Sequence, residues 1–376
     1  RDTVARLGGD EFAILIEGHD VREKSVSVSK RILENIRQSF NINGAEVKVG
    51  ISIGIAFKES EETTADDLLR NADVAMYSAK GKGKNRFVVF ESEMHLNLLA
   101  QIELENDLRA AIDNNQLNLN YQPIVNLRTG QVTGIEALVR WNHPVRGQIS
   151  PVEFIKLAEQ SGLIVPLGRW ILLESCLRSK QLFDIYGDRL TVTINISGKQ
   201  LEHPEFINDL AEVIDKVKID PGNIILEITE STMMEDTESI LKLLMRIKML
   251  GIRLAIDDFG TGYSSLSYLQ QFPIDILKID RSFVDGIETS PQKNAVARTI
   301  INLSDTLQLA TVAEGIENNE QAEILRALGC EYGQGFFFAK PVSFHEFETL
   351  LANMSASEAP FAPELEAAEL VSGSVN

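Results

Sequence analysis

The chain has 376 residues, 44% of them hydrophobic, and carries 36 Lys and Arg against 55 Asp and Glu, a formal charge of −19. That balance excludes broad electrostatic adhesion to nucleic acid or to an anionic membrane, although not a small anion held through metal ions. The hydrophobic share excludes a disordered chain, and the longest apolar runs, such as 13–16 and 336–339, are too short to cross a bilayer. Two cysteines, Cys176 and Cys330, make no disulfide framework and point to a reducing, cytoplasmic setting.

The chain starts at Arg1, and its first residues read as the middle of a module, so we expect a piece whose N-terminal part is absent. Residues 4–16 predict two short strands around Gly8, Gly9, Asp10, Glu11 and Phe12, where the glycines supply the turn. Val28, Ile32 and Ile36 have helical spacing within 21–39, and Val47, Val49, Ile51, Ile53 and Ile55 alternate like one strand over 47–57. A helix follows over 66–80, ended by Gly81 and Gly83, then a closing strand at 87–90. The first module therefore ends near residue 92, and Leu104, Leu108 and Ile112 predict a linker helix over 93–115.

From about residue 117 short apolar runs alternate with helical stretches: 117–125, 132–141, 190–196, 224–229, 253–258, 276–280, 309–314 and 333–339. Eight such units suggest a (β/α)8 TIM-type barrel, an α/β fold, over 116–352. The link 126–131 is too short for a parallel crossover, so the first two strands should be antiparallel. The tail, 353–376, is acidic and rich in Ala and Ser, and disorder is expected there.

Polar residues recur along the runs, mostly near their ends: Glu136 in the second, Asn195, Glu227, Asp257 and Asp258 near the ends of the third to fifth, Lys278 and Asp280 in the sixth, Glu314 ending the seventh and Gln334 beginning the eighth. In a barrel these ends converge on one mouth, where like charges are costly unless cations compensate them. Oxygen ligands favour Mg²⁺ or Mn²⁺. The adjacent Asp257 and Asp258 allow one carboxylate to bridge two metals, an arrangement suited to phosphodiester hydrolysis. Taken singly, each residue also reads as a turn or a cap; the recurrence at successive strand ends argues for a site. Asn195-Ile196-Ser197 matches a glycosylation sequon by chance, and Trp141 and Trp170 read as packing.

With Glu136-Ala137-Leu138 followed by Val139-Arg140-Trp141, the second module resembles the EAL domain family of cyclic di-GMP phosphodiesterases. The other family blocks are present in order: Tyr121-Gln122-Pro123, Asn195-Ile196-Ser197, Glu227-Ile228-Thr229-Glu230, Asp257-Asp258-Phe259-Gly260-Thr261-Gly262, Lys278-Ile279-Asp280, Ala313-Glu314-Gly315-Ile316-Glu317 and Gln334-Gly335-Phe336. The first module, with Leu7-Gly8-Gly9-Asp10-Glu11-Phe12, resembles the second half of a GGDEF (diguanylate cyclase) domain, regulatory or inactive here.

The resemblance implies one metal held by Glu136, Asn195, Glu227 and Asp257, and a second by Asp257, Asp258 and Glu314. Lys278 is implied to position or help deprotonate the attacking water, with Glu317 and Gln334 supporting the site. Gln122 and Arg140 are implied to contact the substrate, a fork suited to phosphate, and Glu230 to steady the loop 258–266. The implied reaction is hydrolysis of cyclic di-GMP to linear pGpG by a homodimer formed through the EAL domain. Two alternatives stand beside it: a non-catalytic cyclic di-GMP receptor, and a bifunctional cyclase and phosphodiesterase in a full-length parent.

Overall fold

A computed structural model describes residues 2–42, 44–114, 116–187, 190–235, 237–260 and 269–356. The chain divides into two compact units, Arg1–Asp107 and Leu108–Asn376. Among the described residues, no helix is long and apolar enough to cross a membrane.

In the first unit, β1 (Thr3–Gly8) and β2 (Glu11–Leu15) form an antiparallel hairpin. Gly9 turns it with φ +51°, and the Arg6 guanidinium donates to the Gly9 carbonyl (3.0 Å from Nε). After α1 (Val21–Ile36), β3 (Phe40–Ile42) and β4 (Ala45–Val47) make a second hairpin. Then β5 (Ser52–Ile55) pairs in parallel with β6 (Arg86–Val89) through the crossover helix α2 (Ala65–Gly81). A Cβ at Gly54 would lie 1.8 Å from the Ala72 carbonyl oxygen, so the missing side chain is what lets α2 approach β5. The single strand expected over 47–57 is therefore shorter, Ser52–Ile55, with Val47 at the end of β4 and a break over 48–51 between them. Alternation shows that residues are extended, but not where a chain changes neighbour.

The helix α3 (Glu93–Asp113) ends with Leu108 and Ala111 fully buried in the second unit. There β7 (Leu117–Asn126) and β8 (Val132–His143) pair antiparallel, as the short link requires. Parallel to β8 and to one another run β10 (Thr191–Asn195), β11 (Ile224–Thr229), β12 (Arg253–Phe259), β13 (Ile276–Ile279), β14 (Ala310–Ala313) and β15 (Tyr332–Gly333). Because β15 pairs with the far edge of β7, the ring closes as an eight-stranded barrel. Two short strands, β9 (Gly147–Ile149) and β16 (Val342–Ser343), extend it outside the ring.

The connecting helices are α4 (Pro151–Ser161), α5 (Ile164–Tyr186), α6 (Gly198–Leu201), α7 (Phe206–Val217), α8 (Glu230–Glu235), α9 (Thr237–Met249), α10 (Arg281–Val284), α11 (Pro291–Leu307), α12 (Asn319–Ala327) and α13 (Phe344–Ala356). Ser197 of the sequon caps α6 by accepting from the Gln200 N–H, a structural role. Trp141 is fully buried and packs edge-on against Phe154. Cys176 and Cys330 are buried free thiols, pushed by burial to about 12 and about 11.

The eighth strand is shorter than its apolar run. Only Tyr332 and Gly333 pair; the chain then turns, with the Phe338 and Ala339 N–H groups donating to the Gly335 carbonyl (3.1 and 3.2 Å). The run 336–339 is a loop at the mouth. The acidic tail expected over 353–376 reaches α13 in its first residues, and 357–376 lie outside the described residues.

Candidate active site

The barrel interior is built in steps of two residues. Ile124, Ile225, Ala255, Ile276 and Val312 form an apolar layer, with Tyr332 packed against it. Side chains two residues apart on a strand share a face. One step toward the mouth therefore brings Glu227, Asp257, Lys278, Glu314 and Gln334 inward from the parallel strands and the turns that follow them. Gln122 comes from β7, where the antiparallel direction reverses the step. Glu136 and Asn195 enter the same layer from β8 and β10; Gln122 lies opposite Glu136 in register, and Asn195 opposite Glu227.

Lys278 is the hub. Its buried Nζ lies 2.6 Å from Glu227 Oε1 and 2.5 Å from Glu314 Oε1, and 3.7 Å from both Glu136 Oε2 and Asp257 Oδ1. Burial alone would pull this ammonium down, but the four carboxylates around it hold it well above its usual range. Burial in turn pushes Glu227 well above the ordinary carboxylate range and Glu314 to about 7, with Lys278 opposing both shifts. One ammonium facing four carboxylates leaves the cluster short of positive charge.

The amides lock the layer sideways. Asn195 Nδ2 donates to Glu136 Oε1 at 2.7 Å, and Gln334 Nε2 donates to Glu136 Oε2 at 2.6 Å and to Gln122 Oε1 at 2.9 Å. Gln122 Nε2 closes the chain on the Ala339 carbonyl at 3.0 Å.

The donor set fits a metal ion. Carboxylate oxygens of Glu227, Asp257 and Glu314 lie within 4.8 Å of one another. Glu227 Oε2 and Asp257 Oδ1 are buried acceptors without a hydrogen-bond partner, a costly state that a cation relieves. An all-oxygen set of this kind suits a hard divalent cation.

The remaining predicted residues stand around this core. Asp258 follows Asp257 directly, and consecutive strand residues ordinarily face opposite ways. At this point β12 shifts register and Asp258 takes φ +55°, so the alternation breaks. Burial, then Asp257, raises the Asp258 carboxyl above its usual range, and Lys278 is within electrostatic reach. Glu230 opens α8 and accepts the Gly260 N–H on Oε2 at 2.9 Å; residues 261–266 of the loop assigned to it lie outside the described residues. Arg140 is half-buried, and burial draws its guanidinium down while Glu136 opposes this.

Above the layer opens a cleft of about 200 Å³, walled by Gln122, Glu136, Gln334 and Glu314 on the polar side and by Leu138 and Phe336 on the apolar side. Glu317 stands on its rim, ion-paired with Arg281. Arg281 was not singled out from the sequence, and Leu138 and Phe336 stood there only inside family blocks, with no site role. Arg281 directly follows the Lys278-Ile279-Asp280 block, and that adjacency was the available signal. Asp280 itself caps α10 through the Ser282 N–H. In the first unit, Gly8 to Phe12 are all exposed on their hairpin.

The family model of the EAL domain matches residues 105–341, more than half of the chain. The chain belongs to the EAL domain family. A second family model, described as diguanylate cyclase, GGDEF domain, matches residues 1–86. This EAL chain is 40% identical over 355 residues to the bifunctional diguanylate cyclase/cyclic di-GMP phosphodiesterase MucR of Pseudomonas aeruginosa, covering 94% of this chain and 51% of that protein. It is 39% identical over 345 residues to the cyclic di-GMP phosphodiesterase PdeR of Escherichia coli, covering 92% and 52%. The chain thus spans about half the length of these relatives.

Among solved structures, the PaMucR phosphodiesterase in complex with c-di-GMP superposes with a TM-score of 0.63 at 39% identity, covering 65% of this chain and 99% of that one. The EAL enzyme Bd1971, in its cAMP- and cyclic-di-GMP-bound form, gives 0.64 at 41% identity, covering 68% and 70%.

Proposed function

We propose that the EAL domain hydrolyses cyclic di-GMP to linear pGpG in a metal-dependent reaction, as a cyclic-guanylate-specific phosphodiesterase. The observation that carries this is the ring of Glu136, Glu227, Asp257 and Glu314 around Lys278 at the floor of the cleft. On this reading Glu136, Asn195, Glu227 and Asp257 hold one Mg²⁺ or Mn²⁺, and Asp257, Asp258 and Glu314 hold a second. The ions supply positive charge for the phosphate oxygens as negative charge builds there.

The chain's own groups do the positioning. Gln334 and Asn195 keep both oxygens of Glu136 pinned. Lys278 orients Glu227 and Glu314 and holds its proton beside them, placed to steer the attacking water. Gln122 and Arg140 contact the substrate, the guanidinium offering a fork to a phosphate. Glu230 steadies the start of the loop after β12 through Gly260.

The organisation we propose is a GGDEF part over 1–92 in a regulatory role, a linker helix over 93–115, the EAL phosphodiesterase over 116–352 and a tail beyond. The resemblance supports a cytoplasmic homodimer formed through the EAL domain. The test is incubation with cyclic di-GMP and Mg²⁺ or Mn²⁺, with pGpG followed by chromatography. We expect pGpG from the parent and a loss of at least about 100-fold in Asp257→Ala, the scale of removing one charge-stabilising group. Near-parental turnover in Asp257→Ala refutes the assignment.

A further inference from the structure

The turn 314–317 carries Glu314 into the carboxylate ring and Glu317 to the rim of the cleft. Its inner side is fastened by backbone. The Glu314 N–H donates to the Ile279 carbonyl (3.0 Å), the Ile316 N–H to that of Gln334 (3.1 Å), and the Phe337 N–H to that of Ile316 (3.0 Å). On its other side the Glu317 N–H donates to Gln321 Oε1 (2.8 Å), and Arg281 lies over Gly315. A Cβ on Gly315 would lie 2.3 Å from Arg281 Cγ and 2.7 Å from Arg281 Cβ, so the arginine stem crosses the bare backbone of Gly315 before its guanidinium reaches Glu317. Gly315 also takes φ +70°, which glycine adopts without strain. The two partners are 59% and 46% exposed, and an ion pair so open to solvent adds little stability. Its position has the larger consequence: the same turn delivers Glu314.

We propose that Arg281 is a positioning residue, whose stem across Gly315 and bond to Glu317 hold the 314–317 turn so that Glu314 stays beside Lys278 and Asp257. The proposal rests on reading the carboxylate ring as a metal site. It assigns Arg281 no contact with substrate and predicts an effect through the metal.

Calorimetric titration of Mn²⁺ into the metal-free chain tests it without reference to turnover. Arg281→Ala should bind Mn²⁺ about 10- to 100-fold more weakly, as when a group supporting a metal ligand is lost. At saturating Mn²⁺ its kcat for cyclic di-GMP should return to the parental value. Arg281→Lys, which keeps the stem and charge but loses the fork, should fall between. Gly315→Ala should weaken binding in the parent and cost less in an Arg281→Ala background, where the collisions with Cγ and Cδ are gone and only that with Cβ remains. Parental Mn²⁺ affinity in Arg281→Ala, or strict additivity of the two changes, overturns the positioning role alone. A parent that binds no Mn²⁺ overturns the metal reading itself, and the two failures are thereby told apart.

Discussion

Lys278 illustrates how one residue can stabilise a cluster that is unfavourable without it. Its ammonium is buried, and it is the group that compensates Glu136, Glu227, Asp257 and Glu314. Removing one partner of a buried charged set leaves the rest uncompensated, at about 3–5 kcal/mol. Lys278→Met should therefore lower the unfolding free energy of the metal-free chain by about that amount in urea titrations. Mn²⁺ should recover part of the loss, because a cation in the ring replaces the missing charge. A loss that Mn²⁺ leaves unchanged would rule out charge compensation as the cause. These residues stood out in the sequence because polar groups recur within or at the ends of successive apolar runs. The contacts of Lys278 with Glu227 and Glu314 did not, since they join β13 to β11, across β12, and to the turn after β14.

At the scale of elements, local chemistry decides boundaries and tertiary pairing decides partners. The crossover helix α2 starts at Thr64, whose hydroxyl accepts the Asp67 N–H while the Asp67 side chain accepts the Thr64 N–H. This reciprocal cap has the form of a capping box, with Asp at the third helical position. Thr64→Ala should destabilise the first unit by about 1 kcal/mol, read as faster hydrogen exchange in α2 and β5 with the barrel unaffected. Equal exchange in the two proteins would mean that the cap is idle.

Strand length was less legible than helix starts. The run 333–339 is apolar throughout, yet it leaves the sheet after Gly333. A Cβ at Gly335 would lie 2.1 Å from the Ile316 carbonyl oxygen, so the backbone there is committed to the 314–317 turn and not to a neighbouring strand. The 47–57 run fails for a related reason: only Val47 pairs with β3, residues 48–51 leave the sheet, and Ser52–Ile55 pair with β6.

For the whole molecule, the two units should respond differently to metal. The carboxylate layer lies entirely within Leu108–Asn376. Binding to the native state alone stabilises in proportion to the logarithm of ligand concentration over Kd. Saturating Mn²⁺ should therefore raise hydrogen-exchange protection in β11 to β14 and leave β5, β6 and α2 as they were. Protection gained equally in both units would contradict a metal site confined to the barrel. The net charge of −19 acts at this scale too. It opposes polyanionic partners, while the part of it concentrated in the ring is what a divalent ion would satisfy.

By itself the sequence determined that the fold is a barrel of alternating strands and helices, that the first two strands run antiparallel, and which polar residues recur along its strands. All of these are local properties: residue type, the two-residue period of a strand and the length of a link. Only the tertiary structure decided that Gln334 donates to Gln122 across 212 positions and to Glu136 across 198. It also decided that Asp258 turns out of the strand alternation and that Arg281 lies over Gly315. These depend on ring closure, with β7 paired to β8 on one edge and to β15 on the other. Burial then makes each charge answer to neighbours on strands far away in the chain, a dependence that no local pattern records.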